Sequence, residues 1–166
     1  MILILFGVSG VGKTTIGSLL SAHLGWRFED ADNYHSAANK QKMQSGVPLT
    51  DQDRNPWLQS LNQRLLALAR DGENVVLACS ALKQQYRSIL AADLPPAEFR
   101  FVLLDAPPDL IAKRILERNH QYMNPGLLPS QLATLEVPSD VCRISVAGPP
   151  QEAVDEIIER LHLQKK

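Results

Sequence analysis

Residues 2–15, ILILFGVSGVGKTT, carry two signals in direct succession. Ile2 to Phe6 is an unbroken apolar run, as for a strand buried on both faces. Gly7-Val8-Ser9-Gly10-Val11-Gly12-Lys13-Thr14 then matches G-x-x-x-x-G-K-[ST] without a mismatch. Residues 14–24 follow with Ile16, Leu19, Leu20 and Leu24 on one helical stripe. Strand, glycine-rich loop and helix in this order make a phosphate-binding unit. The glycines permit backbone angles that turn successive N–H groups inward, so Gly7, Val8, Ser9, Gly10, Val11, Gly12, Lys13, Thr14 and Thr15 form the expected cradle. The helix start favours negative charge. Lys13 is expected to reach the β- and γ-phosphates, and the Thr14 hydroxyl to ligate Mg²⁺. A chance match in a chain of this length is on the order of half a percent, so ATP binding is the expectation.

Working outward, strand and helix patterns alternate. "WRFEDAD" (26–32) reads as a second strand, and 36–45 as a short helix. Leu58, Leu61, Leu65 and Leu68 stripe a helix over about 56–70, with Pro56 suiting its first turn. Val75–Cys79 is a third strand, followed by a helix near 83–91. "FRFVLLDA" is a fourth, and Leu110, Ile111 and Ile115 mark the next helix. "VCRISVAG" is a fifth, and Ala153 to Leu161 the last helix. Five buried strands alternating with helices predict a three-layer α/β domain: a parallel sheet covered on both faces. Only 119–138, with three prolines and a glycine, breaks the rhythm. It reads as a lid-like excursion within a single domain, 1–166.

The chain has 166 residues, 45% hydrophobic and 21% charged, with a formal net charge of −1. That suits one globular domain and argues against bulk attraction to nucleic acid or acidic lipid. No apolar run is long enough to span a membrane, so no membrane partner is expected. Cys79 and Cys142 read as small apolar residues near strand ends, as expected of reduced thiols in a cytoplasmic protein. No cysteine–histidine spacing suggests zinc.

A nucleotide loop suits either a regulatory switch or a small-molecule kinase. A guanine-reading Asn-Lys-x-Asp is missing, because "NKQK" at 39–42 lacks the acid and comes too early. D-x-x-G after a strand is missing too. The third strand ends in Cys79-Ser80, where many such proteins place a magnesium-binding acid. "DADN" at 30–33 instead ends the second strand with two carboxylates. In an extended segment Asp30 and Asp32 share one side, and ligands of open α/β sheets sit beyond the carboxyl ends of the strands. The pair suits metal, metal-bound water or a base for a substrate hydroxyl. We assign Asp32 as the base and Asp30 to the metal.

"GVSGVGKTT", "DADNYHSAANKQKMQSGVPLTDQDRNPWL", "CSALKQQYR" and "LLPSQLATLEVP" together resemble the gluconokinase family of the thermoresistant, phosphate-loop type. The matching segments run from Leu3 to about Pro138. The resemblance implies ATP-dependent phosphorylation of D-gluconate, an adenylate-kinase-like fold with strand order 2-3-1-4-5, and a homodimer. The residues suit that substrate, a small polyol with one carboxylate. Arg54, Lys83 and Arg87 supply cations, and arginine can hold a carboxylate through two parallel hydrogen bonds. Lys83 and Arg87, four apart, are expected on one helix face; either both read the carboxylate, or Lys83 serves the phosphoryl group. His35 is a candidate for a sugar hydroxyl, and Trp57 for packing.

In adenylate-kinase-like enzymes, arginines just before the lid meet the triphosphate. Arg114 and Arg118 stand there, with Arg118 expected to neutralise the transferring group. The family's Gly-His-Phe after this arginine is replaced by Asn119-His120-Gln121-Tyr122, which removes the basis for a lid role of His120. Gln131 and Glu136 match family positions without a chemical role. "VAGPP" (146–150) is expected near the adenine.

Overall fold

The computed structural model describes residues 1–117 and 125–165. In chain order the elements are β1 (Ile2–Phe6), α1 (Lys13–Leu24), β2 (Arg27–Asp30), a 3₁₀ turn (Ala31–Tyr34), α2 (Ala37–Gln44), α3 (Asp51–Arg70) and β3 (Val75–Ala78). They continue with α4 (Gln84–Leu90), β4 (Phe99–Asp105), α5 (Pro108–Glu117), a 3₁₀ turn (Pro125–Leu127), α6 (Leu128–Thr134), β5 (Cys142–Ser145) and α7 (Pro150–Leu161).

The sheet is parallel throughout, in the order β2-β3-β1-β4-β5 expected from the family resemblance. Side chains alternate across it with period two. Ile2, Ile4 and Phe6 pack with Val75 and Leu77 against Leu58, Leu61 and Leu65 of α3 and Tyr86 and Leu90 of α4. Leu3 and Leu5 pack with Val76, Val102 and Ile144 on the other face, against residues of α1, α5 and α7. Both faces are therefore covered, which is why β1 reads as an uninterrupted apolar run. Among the described residues no helix is long and apolar enough to cross a membrane.

Two boundaries differ from expectation, and both matter for the site. Strand β2 stops at Asp30 and the chain turns into the 3₁₀ segment, so Asp32 does not lie in an extended strand. Asp30 caps that turn by accepting from Asp32 N at 3.0 Å. Helix α3 begins at Asp51 rather than near Pro56. Thr50 and Asp53 form a reciprocal capping box, with Thr50 Oγ1 accepting from Asp53 N at 3.1 Å and Asp53 Oδ2 from Thr50 N at 2.9 Å. Two orphan donors are satisfied at once, which starts the helix ahead of its proline.

Candidate active site

The loops after β1, β2 and β3 are neighbours at the carboxyl edge of the sheet, and they wall a cleft of about 510 Å³. This is an ordinary size for a small-molecule site. One end is the phosphate loop. Gly12 is the residue before α1, at φ +111°. Gly10 sits so close to α5 that a Cβ would lie 2.4 Å from Ile115 Cγ1. Val8 and Val11 bury their side chains in the core, leaving backbone as what they offer a ligand. Lys13 Nζ donates to Gly7 O and Val8 O, each at 3.0 Å. Desolvation pushes its ammonium pKa down, opposed by Asp32, Cys79 and Asp30.

The two acids part company here. Thr14 Oγ1 donates to Asp30 Oδ2 at 2.8 Å, so the threonine of the loop and the end of β2 bring hard oxygen ligands together. Asp32 also lines the cleft, with its side chain 67% exposed, and His35 Nε2 stands 3.8 Å from its Oδ1. The turn at Ala31 explains the split: Asp30 is held by its own turn and by Thr14, while Asp32 is projected from the turn.

The acceptor end is built from the β3–α4 connection and the start of α3. Lys83 is not on a helix face; it is the residue before α4, in extended conformation at φ −93°, ψ 151°. Its ammonium lines the cleft and donates to Asp51 Oδ1 at 3.0 Å. Asp51 also accepts from Gln85 Nε2 at 3.0 Å and from the Tyr86 hydroxyl, and these bonds, Tyr86 first, hold its carboxyl at about 2. Arg54 lines the same wall, donating to Tyr86 Oη at 3.2 Å with its guanidinium over the ring at 5.4 Å.

Arg87, expected to read a carboxylate, lies elsewhere. It is 3% exposed and stacks over Phe6 at 4.9 Å. Its Nη1 donates to Ala81 O at 2.8 Å and Leu82 O at 3.0 Å, and its Nη2 to Glu136 O at 2.8 Å and Gln84 Oε1 at 3.1 Å. The physical reason is the non-helical Lys83: once α4 starts at Gln84, the i, i+4 face no longer exists. Ala81, at φ +40°, is a non-glycine residue in a left-handed conformation. Its carbonyl is fixed by Arg87, so the arginine braces the floor of the acceptor end from beneath. Cys79 lies in that floor, its thiol pushed up to about 12 by burial and by Asp32, which leaves it a poor nucleophile.

His35 is neither on the surface nor a flexible donor. It is 8% exposed and stacks on Trp57 with ring centroids 4.0 Å apart. Burial and the nearby charges of Arg54 and Lys40 lower its pKa to about 4, so it is neutral at pH 7. Trp57 packs as expected and donates from Nε1 to Ala31 O at 2.9 Å. Asn39 and Lys42 are scaffolding: Lys42 holds both Asp53 carboxylate oxygens, at 2.8 and 2.9 Å, and Asn39 Nδ2 donates to Asp53 O at 3.0 Å.

On the lid side, Arg114 does not face the cleft. It donates to Val146 O at 2.7 Å and Val11 O at 3.4 Å, tying the phosphate loop to the 146–150 segment. Arg118, His120 and Gln121 lie outside the described residues. Gln131 and Glu136, for which the sequence suggested no role, acquire one. Gln131 meets Ser9, and Glu136 accepts from Gln84 N at 2.5 Å while its own N donates to Leu82 O at 2.9 Å. Asp51 and Tyr86 were missed as well; the only sequence signal for Asp51 was its place beside the Thr50 cap.

Comparison with known proteins bears on this cleft. A family model described as an AAA domain matches residues 2–138. The probable gluconokinase of Rattus norvegicus is 48% identical over 154 residues, covering 83% of this chain and 83% of that protein. The gluconokinase of Gluconobacter oxydans (strain 621H) is 43% identical over 165 residues, covering 98% and 92%. A crystal structure of a gluconokinase from Sinorhizobium meliloti 1021 superposes with a TM-score of 0.81 at 35% identity, covering 96% of this chain and 94% of that one.

Proposed function

This chain belongs to the gluconokinase family, and from that premise we propose that it transfers the γ-phosphoryl group of ATP to the terminal hydroxyl of D-gluconate. The observation that carries the site-level reading is that one cleft joins the phosphate loop and Asp32 to two cations, Arg54 and Lys83, at its far end. Lys13 and the loop amides hold the phosphates. Asp32 accepts the hydroxyl proton as the new O–P bond forms and the bond to the β-phosphate bridging oxygen breaks, releasing ADP. Arg54 and Lys83 take the carboxylate. Of the two arginines expected to bind the acid, Arg54 is the one that lines the cleft.

Thr14 and Asp30 fit Mg²⁺, because their oxygens already meet at 2.8 Å and this ion is commonly bound by one or two protein oxygens plus substrate phosphates. Bound there, Mg²⁺ would neutralise charge on the β- and γ-phosphates. For Arg118 we retain the clamp on the transferring group, on family resemblance alone. The homodimer rests on the same resemblance, and light scattering of the purified protein tests it. A cytoplasmic location is supported by the two free cysteines.

A coupled ADP-release assay tests the reaction, with gluconate, shikimate, nucleoside monophosphates or no acceptor. Turnover is expected only with gluconate. Turnover confined to another acceptor, or nucleotide binding without acceptor-dependent turnover, overturns the assignment.

A further inference from the structure

We infer that Gln131 is a positioning residue for the transferring phosphoryl group, acting through Ser9 of the phosphate loop. The inference rests on the reading that this loop carries ATP for transfer. Ser9 N donates to Gln131 Oε1 at 2.8 Å, and Gln131 Nε2 donates to Ser9 Oγ at 3.3 Å. A backbone N–H can only donate, so Oε1 must face it, and the amide nitrogen is thereby turned to the hydroxyl. This clasp spans 122 residues of sequence and joins α6 to the first turn of the loop.

The clasp has a chemical consequence. Gln131 occupies a lone pair of Ser9 Oγ, which leaves the hydroxyl proton as what Ser9 can donate to another group. Ser9 lines the same cleft as Lys13, Thr14 and Asp32. Its hydroxyl is therefore preset as a hydrogen-bond donor in a cleft where phosphate oxygens are acceptors. A donor to a charged oxygen is worth more than a neutral one, and it matters most if it is already oriented. Gln131 is itself anchored: its helix ends at Thr134, and two residues further on Glu136 is bonded to Leu82 and Gln84 at the acceptor floor. One arm thus touches the donor end at Gln131 and the acceptor end at Glu136.

The test uses Gln131→Ala, Gln131→Glu, Ser9→Ala and the Ser9→Ala/Gln131→Ala double variant in the full-length protein. ATP and ADP affinities are measured by calorimetry without acceptor, and kcat with gluconate. ADP lacks the group that Ser9 is proposed to contact, so ADP affinity should stay within about twofold. For Gln131→Ala, kcat or ATP affinity should fall about tenfold. Gln131→Glu should be worse, because a carboxylate cannot donate to Ser9 Oγ and would instead draw the hydroxyl proton to itself. The double variant should lose no more than the weaker single variant. Equal loss of ATP and ADP binding would mean a general collapse of the loop and would overturn the inference, as would an unchanged kcat and ATP affinity. A wild-type protein that binds ATP but never phosphorylates gluconate would instead refute the reaction assignment, and the ATP-versus-ADP comparison would still stand or fall separately.

Discussion

The two ends of the cleft are built by opposite means. The donor end is local: nine consecutive residues, 7–15, mostly backbone, from the end of β1 into the first turn of α1, with Lys13 folded back on the carbonyls of Gly7 and Val8. The acceptor end is assembled from distant pieces. Asp51 of α3 meets Lys83 and Tyr86 at separations of 32 and 35 residues, and Glu136 reaches Gln84 across 52. A backbone cradle tolerates many side chains so long as its glycines stay. A side-chain network ties specificity to several partners at once, so change there should alter acceptor choice before nucleotide binding.

The largest expected effect lies where the two ends meet. Asp32→Asn should cut kcat by on the order of 10²-fold while ATP affinity persists, since the amide cannot take the hydroxyl proton. An unaffected kcat removes Asp32 from the mechanism and leaves the two ends joined by nothing more than proximity. A parallel loss of ATP binding would make Asp32 part of the donor end, and the two ends would not be separable.

Next come two cations four residues apart with different jobs. Arg87→Ala removes a donor from each of the carbonyls of Ala81, Leu82 and Glu136, of which Leu82 O keeps only its bond from Glu136 N. It should cost about 2 kcal/mol, or roughly 4–8 °C in Tm, and lower activity on every acceptor alike. Lys83→Ala leaves the fold nearly intact, since its bond to exposed Asp51 is a surface ion pair. It should raise KM for gluconate about tenfold with little change in KM for ATP. If instead Arg87→Ala leaves Tm unchanged and raises only the gluconate KM, the arginine reads the substrate after all.

These contrasts also explain what was legible in the sequence. The phosphate loop and the five strands were readable because each signal is contiguous: a glycine spacing, an apolar run, a helical stripe. Asp30 and Asp32 were placed on the right side of the sheet, although Asp32 lies in a 3₁₀ turn and not in an extended strand. Arg87 was misread because i, i+4 implies a shared face only inside a helix, and the boundary falls at Lys83. Gln131 and Glu136 were silent because their partners lie 122 and 52 residues away in the chain, and no local pattern encodes that.

The smallest effect concerns the histidine between the two ends. His35, expected to meet a sugar hydroxyl, lines the cleft stacked on Trp57 and neutral, so the positive charge facing an acid there comes from Arg54 and Lys83. Its folded pKa of about 4 lies below the ordinary histidine value of 6.5. As pH falls below 6.5 the unfolded chain therefore takes up a proton that the folded chain refuses. Stability from this residue is fully present above 6.5 and is lost as pH falls toward 4. Between pH 7 and pH 6 the loss should be roughly 0.5–1 kcal/mol, a window in which ordinary carboxylates stay ionised. His35→Phe keeps an aromatic ring for Trp57 and cannot titrate. The difference in unfolding free energy between wild type and His35→Phe should shift toward the variant as pH drops through this window. A difference that stays constant from pH 7 to pH 4 would show that His35 is charged in the fold, and the acceptor end would then carry a third cation.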